Sequence, residues 1–401
     1  MLSFSLEIIS FSKAMESNFL TSVGAPYLQR KERKLTASSI ATSLPFFLKR
    51  CAMTKSMSLP FIPLDLPDIL LEVVMIGMIP MMKRNIGKVH GHTIEELSVL
   101  LQNSSNIFDS TIRLDPVPLG GWSNINLRGH SSGVEFVLKL PWSVERTEIN
   151  PYAQQYHLAQ YFSRFDIAAS PLEIGRLHDS LETPFYIVEY IKGTTYSSVS
   201  EVSADEIFSL KTSHQILREE SPPGIPRYES PNSYLDAIRS LVIEHEWLPR
   251  ASTELHELLY QYESLLPEVI STNEKIGSWL GDTMHGDLWI PNIVFRSGQK
   301  AIFLDFEACT TGDSRYDFAY FLEGHENTNS ESISSLLGGE DVNLVNSLRP
   351  LVLACLIDWS IARLLSMESG IVEPNLSSKR IRTDMVRYVR NKIERLNSLL
   401  A

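Results

Sequence analysis

The spacing of apolar positions changes at about Gly193. Between roughly residues 110 and 192 they come in short runs separated by Gly, Ser and Pro, the pattern of strands. Val134–Leu140 is the strongest run and follows the hairpin turn Ser131-Ser132-Gly133. Thr111–Leu119 is a first strand candidate broken by prolines. Gly120-Gly121-Trp122-Ser123-Asn124 then turns the chain into a strand at Ile125–Arg128, and Pro184–Ile191 gives another. Asn150-Pro151 supplies an N-cap and first helical position for a helix running to about Arg164. Ahead of this block, Thr93-Ile94-Glu95-Glu96 matches a capping box, with Ile94, Leu97 and Leu101 on one helical face.

Beyond Gly193 the helical period dominates, with helices predicted at 204–219, 231–247, 253–270, 342–367 and 378–400. In the last, Met385, Val389, Ile393, Leu396 and Leu400 form one stripe, a core face. Ile293–Arg296 and Ala301–Phe306 interrupt the helices as a strand pair.

Residues 1–60 show neither period and are rich in Ser, Thr, Lys and Arg. They hold 8 Lys and Arg against 3 Asp and Glu, whereas residues 193–401 hold 18 against 30. Residues 1–90 therefore read as a weakly ordered extension, with a transit segment or an internal start at Met81 or Met82 as the alternatives. A secretory signal would carry its charge before the apolar run at Phe46–Leu48, whereas Lys49 and Arg50 follow it. The most apolar stretch, Leu66–Met82, contains Asp68, Glu72 and Pro80, which suits a buried or interfacial segment rather than a membrane span. Three scattered cysteines, Cys51, Cys309 and Cys355, suit a reducing, cytoplasmic setting and provide no metal cluster. The net charge of -12 argues against a nucleic-acid surface and is compatible with a cationic small substrate.

The chemistry concentrates in His285-Gly286-Asp287-Leu288-Trp289-Ile290-Pro291-Asn292, followed by Asp305-Phe306-Glu307 on the second strand of the pair. A hairpin between these pieces brings Asn292 and Asp305 together as a hard-oxygen pair suited to Mg2+. Asp287 projects from the same loop, placed to accept a proton from an attacking hydroxyl. Lys139, inside the apolar strand Phe136–Leu140, needs an anionic partner, and a phosphate supplies one. No Gly-x-x-x-x-Gly-Lys-Ser/Thr string, zinc-protease helix or Gly-x-Gly-x-x-Gly string competes with this reading.

These motifs resemble the aminoglycoside phosphotransferase and choline kinase superfamily over about residues 92–400. Gly312, Asp313, Tyr316, Asp317 and Ala319 extend the likeness. The resemblance implies an α+β, two-lobed, protein-kinase-like fold with a small antiparallel-sheet N-lobe and a mainly helical C-lobe. It places a nucleotide-binding N-lobe at 91–192 and a catalytic and acceptor-binding C-lobe at 193–401. It implies ATP and Mg2+ as cofactors, Asp287 as catalytic base, Asn292 and Asp305 as metal ligands, and Lys139 on the nucleotide phosphates. Gly120, Gly121, Ser123 and Asn124 take the place of the nucleotide loop, and Phe185–Ile191, including Glu189 and Ile191, that of the hinge beside adenine. His285 is expected to hold the catalytic loop, Asp313 a turn and Asp317 a helix cap.

One departure stands out. The helix after the lysine strand usually supplies a glutamate to that lysine, and here Gln154 or Gln155 falls near its place, with no glutamate between Glu148 and Glu173. Either Glu148 substitutes, or Lys139 is held differently. Two readings follow: phosphorylation of a hydroxyl on a small, cationic acceptor, or nucleotide binding without turnover. Protein phosphorylation fits poorly, because no activation segment is recognisable. Trp289 resembles fructosamine kinases and Asp305-Phe306-Glu307 resembles choline and ethanolamine kinases, so an amino alcohol, an aminoglycoside and a glycated amine all remain as acceptors. Trp289 and Glu307 are the acceptor-binding candidates, the ring by cation–π attraction and the carboxylate by charge.

Overall fold

The computed structural model describes residues 87–121, 123–143, 150–277, 279–324 and 342–401. The expectations for residues 1–86, including the extension, the apolar stretch and Cys51, lie outside the described residues, as does Glu148.

Helix α1 (Ile94–Ser104) starts as its capping box dictates. The Glu96 amide donates to Thr93 Oγ1 at 3.2 Å, and the Thr93 amide to Glu96 Oε2 at 2.8 Å. Its Ile94, Leu97 and Leu101 are buried. Five antiparallel strands follow: β1 (Arg113–Leu114), β2 (Asn124–Ser131), β3 (Val134–Pro141), β4 (Pro171–Arg176) and β5 (Pro184–Glu189), in the order β1-β2-β3-β5-β4. Ser132 and Gly133, with φ 47° and 82°, make the tight turn between β2 and β3. The register puts Lys139 opposite Asn126 on one side and Tyr186 on the other, in the middle of the sheet.

The first strand is shorter than its apolar run. Pro116 and Pro118 have no amide hydrogen, so only Arg113 and Leu114 pair regularly. Helix α2 (Ala153–Ser163) begins two residues later than its signal. Asn150 Oδ1 accepts from the Tyr152 amide at 3.0 Å, a turn just ahead of the helix. Strand β4 escapes sequence detection because all six of its residues are half-buried and no alternation shows.

The helical part comprises α3 (Ala204–Glu219), α4 (Pro231–Ile243), α5 (Thr253–Glu263), α6 (Leu266–Glu274), α7 (Arg315–Glu323), α8 (Val342–Ser369) and α9 (Lys379–Leu400). The periodicity predicts one helix over 253–270. The chain breaks at Ser264 and Leu265 instead, and Pro267 opens α6, where a missing amide hydrogen costs nothing. Helix α8 is long and apolar enough to cross a bilayer, but it is mostly buried and packs against α4, α6, α7 and α9. Two small antiparallel pairs complete the frame: β6 (Asp282–Met284) with β9 (Thr310–Gly312), and β7 (Ile293–Val294) with β8 (Ile302–Phe303). All the described residues fall in one compact unit.

Candidate active site

The β7–β8 hairpin forms at the apolar pair that the sequence marks. Ile293 pairs with Phe303, and the Leu304 amide donates to the Asn292 carbonyl at 2.8 Å. This register sets Asn292 beside Leu304, and the strand is shorter than its apolar run, ending at Phe303, so Asp305 lies in the turn beyond it rather than on the strand. Asp305 has φ 63° and ψ 69°, a left-handed conformation that Asp tolerates better than most residues.

The loop before the hairpin is tied from beneath by Asp317. Rather than capping a helix, Asp317 sits buried in the first turn of α7. Its Oδ2 accepts from the His285 amide at 2.8 Å and its Oδ1 from the Gly286 amide at 2.8 Å, while His214 Nε2 lies 3.0 Å from Oδ2. Gly286 has φ 78°, and a Cβ there would lie 2.3 Å from the Ala308 carbonyl oxygen, so only glycine fits. His285 is buried and its pKa is lowered, chiefly by desolvation. Its Nε2 lies 2.9 Å from the Leu304 carbonyl, which only accepts, so Nε2 carries the proton and Nδ1 accepts from the Asp287 amide at 3.3 Å. His285 thus joins the loop to the strand ahead of Asp305, the holding role expected of it.

Asp287 is half-buried at the end of this scaffold. Asn292 Nδ2 donates to its Oδ2 at 2.9 Å and to its backbone carbonyl at 3.1 Å. The Tyr320 hydroxyl also hydrogen-bonds the carboxylate. Desolvation raises the Asp287 pKa to about 7; Asp305 adds to the rise, and Tyr320, Asn292 and Lys139 oppose it. With its amide nitrogen committed to Asp287, Asn292 keeps its carbonyl oxygen as a ligand atom. Asp305 offers a second hard oxygen from the turn that follows β8. Among the described residues no group of three or more His, Cys, Asp or Glu stands ready to cage a metal. A two-residue oxygen set suits Mg2+, which commonly takes its remaining ligands from phosphates and water.

Lys139 is buried, and its Nζ lies 3.0 Å from Asp305 Oδ1 as an ion pair. It also donates to Gln155 Oε1 at 3.1 Å. Gln155, on α2, stands at the place usual for the glutamate, and its Nε2 donates to Glu307 Oε2 at 3.3 Å. Glu307 therefore joins the lysine side of the site rather than standing apart with Trp289. Its pKa is raised to about 8, first by desolvation and then by Asp305, against the effect of Lys139. Trp289 is half-buried two residues after Asp287 and packs on Gly324 at the end of α7.

Above the lysine, Gly120 and Gly121 have φ 110° and 123° and open the approach to β2. Asn126 Nδ2 donates to the Gly120 carbonyl at 2.8 Å, and Asn124 is buried where β2 begins. Ser123 lies between them at a bend. Ile191 packs with Val188 and Leu304 on the small apolar cluster of Ala169, Val294 and Ile302, between β5 and the β7–β8 hairpin. Glu189 is exposed, and its amide donates to the Ser170 carbonyl at 2.9 Å. Lys139, Asn292, Asp287, Asp305 and Glu307 thus form one linked group; Glu189 stands outside it.

Sequence reasoning passes over Tyr320 and Arg363. Tyr320 is visible in hindsight, one turn beyond Tyr316 and Asp317 on α7. Arg363 comes from α8, is buried, stacks 3.9 Å above the Trp142 ring and shares an electrostatic interaction with Glu307. Nothing local in the sequence marks it.

This two-lobed, kinase-like fold defines the class of a small-molecule phosphotransferase. The model of the phosphotransferase enzyme family matches residues 116–337, more than half of the chain, and the chain belongs to that family. No curated protein matches it in sequence. Among solved structures it is similar to choline kinase LicA from Streptococcus pneumoniae, at 16% identity and TM-score 0.52, over 76% of this chain and 97% of that one. Aminoglycoside phosphotransferase APH(4)-Ia gives the same figures: 16% identity, TM-score 0.52, and 76% and 97% coverage. A thermostable mutant of the latter, in ternary complex with AMP-PNP and hygromycin B, matches at 14% identity and TM-score 0.50 over 72% of this chain and 93% of that one.

Proposed function

We propose that the protein transfers the γ-phosphoryl group of ATP, with Mg2+, to a hydroxyl of a small cationic molecule. The observation that carries this reading is the convergence of Asp287, Asn292, Asp305 and Lys139 from a loop, a hairpin and the central strand of the sheet. Asp287 accepts the proton of the attacking hydroxyl. Asn292 and Asp305 hold Mg2+, which when bound offsets charge on the phosphates. Lys139 binds phosphate oxygens, and its ion pair with Asp305 keeps both side chains in place before nucleotide arrives. Gly120, Gly121, Ser123 and Asn124 cover the phosphates, and Ile191 with its apolar neighbours borders the adenine.

The fold shared with a protein that binds AMP-PNP and hygromycin B supports the choice of nucleotide and of a small acceptor. An amine or quaternary ammonium beside the reacting hydroxyl is favoured by the acidic balance of residues 193–401, 18 Lys and Arg against 30 Asp and Glu. Trp289, two residues from the base, supplies an aromatic face for that cation. A screen of amino alcohols, aminoglycosides and glycated amines with Mg-ATP, read as phosphorylated product by mass spectrometry, tests the reading. Product from at least one cationic acceptor is expected, and Mg-ATP binding with no product from any of them would favour nucleotide binding without turnover.

A further inference from the structure

Lys139 lacks a carboxylate partner on α2, yet a carboxylate stands one side chain further on. Gln155 Oε1 accepts from Lys139 at 3.1 Å, and Gln155 Nε2 donates to Glu307 Oε2 at 3.3 Å. A primary amide has two ends of opposite polarity, and on its own it can turn over. Turned over, Gln155 would face the Lys139 ammonium with its own hydrogens. Glu307 prevents this, because its Oε2 accepts from the amide nitrogen and holds it on its side. The Tyr152 hydroxyl donates to Asn124 Oδ1 at 3.0 Å, and Asn124 acts on Glu307 in favour of its charged form. Asp305 and Asp287 also act on Glu307 electrostatically, as does Arg363 from α8.

We propose that Glu307 is the positioning residue for Lys139, with Gln155 as a relay whose amide Glu307 holds with its oxygen toward the ammonium. The lysine is then kept in place when Asp305 turns from it to Mg2+, a duty that Asp305 alone cannot discharge while ligating metal. The proposal rests on the phosphotransfer reading for what Lys139 does. The relay itself stands on the contacts above.

A reciprocal swap tests it. Glu307→Gln, Gln155→Glu and the double variant are compared with the wild-type protein for Mg-ATP affinity by calorimetry, for KM of ATP and of acceptor, and for thermal unfolding without ligand. Glu307→Gln is expected to weaken Mg-ATP binding about tenfold, with little change in acceptor KM, since an amide at position 307 can offer its own hydrogens to Gln155 and no longer fixes which end of Gln155 faces Lys139. Gln155→Glu alone sets two carboxylates in contact and is expected to lower the unfolding temperature. The double variant gives Lys139 a direct carboxylate partner on α2, supported by an amide from position 307; it is expected to recover both affinity and unfolding temperature. Losses that merely add, or a Glu307→Gln effect confined to acceptor KM, would overturn the relay. Recovery of unfolding temperature in a protein that binds no Mg-ATP at all would leave the relay standing and remove the phosphotransfer reading. Normal Mg-ATP binding with no recovery would do the reverse.

Discussion

Asp305 combines three properties in one side chain. It sits in a left-handed backbone conformation, pairs with Lys139 at 3.0 Å, and directly follows Leu304, whose amide bonds the Asn292 carbonyl across the hairpin. A non-glycine residue in that conformation stores about 1 kcal/mol, which persists only when the surroundings fix it. The ion pair with Lys139 is one contact that fixes it. Asp305→Ala is expected to abolish Mg2+-dependent ATP binding while the protein still unfolds cooperatively. Calorimetry checks the first part and a thermal scan the second; normal Mg-ATP binding by the variant would remove Asp305 from the metal site. The placement of the candidate residues is legible from spacing: a hairpin that starts five residues after Asp287 brings Asn292 beside Leu304, next to Asp305. Gln155 and Glu307 are legible as residues but not as a pair, because 152 positions separate them and only the packing of α2 over the Phe306–Ala308 turn joins them.

Elements differ in how they expose themselves to sequence reading, and α7 and α8 show why. Eight of the nine residues of α7 are buried, among them Arg315, Asp317 and Glu323, so no amphipathic stripe betrays the helix. The charges inside are matched: Asp313 accepts from Arg315 Nε at 2.7 Å, and Glu323 from Arg349 Nε at 2.5 Å. By contrast, α9 carries the stripe at Met385, Val389, Ile393 and Leu396 and stands where that stripe predicts it, from Lys379 to Leu400. Helix α8 holds a different kind of buried charge. Asp358 accepts from the Tyr262 hydroxyl at 2.6 Å, with Arg239 and Glu263 nearby, and desolvation raises its pKa to about 7. A carboxyl whose folded pKa lies above its unfolded value favours the folded state while protonated. That contribution is complete below about pH 4 and is lost as pH rises through about 7. The unfolding temperature of the wild-type protein relative to Asp358→Asn is thus expected to fall between pH 5 and pH 8 by about 2 °C or more. A pH-independent difference between the two would show that Asp358 is ionised throughout.

At the scale of the whole molecule, the sheet supplies Lys139 and the glycine turn at Gly120 and Gly121, and the helical part supplies Asp287, Asn292, Asp305 and the acidic balance. Charge spread over a lobe acts at a distance and is screened by salt, with a Debye length of about 8 Å at physiological ionic strength. For a cationic acceptor, KM should accordingly rise with ionic strength while kcat changes little, measured at saturating Mg-ATP. A KM that stays flat or falls would mean that the acceptor is neutral or anionic. The central claim is that Asp287 takes the proton of the attacking hydroxyl, and its most direct test is the turnover of Asp287→Asn. The substitution keeps the shape of the side chain. Mg-ATP affinity should be preserved, while kcat with the best acceptor of the screen falls by about 100-fold or more, the usual cost of losing a general base. Turnover within a few-fold of the wild-type protein would contradict the account.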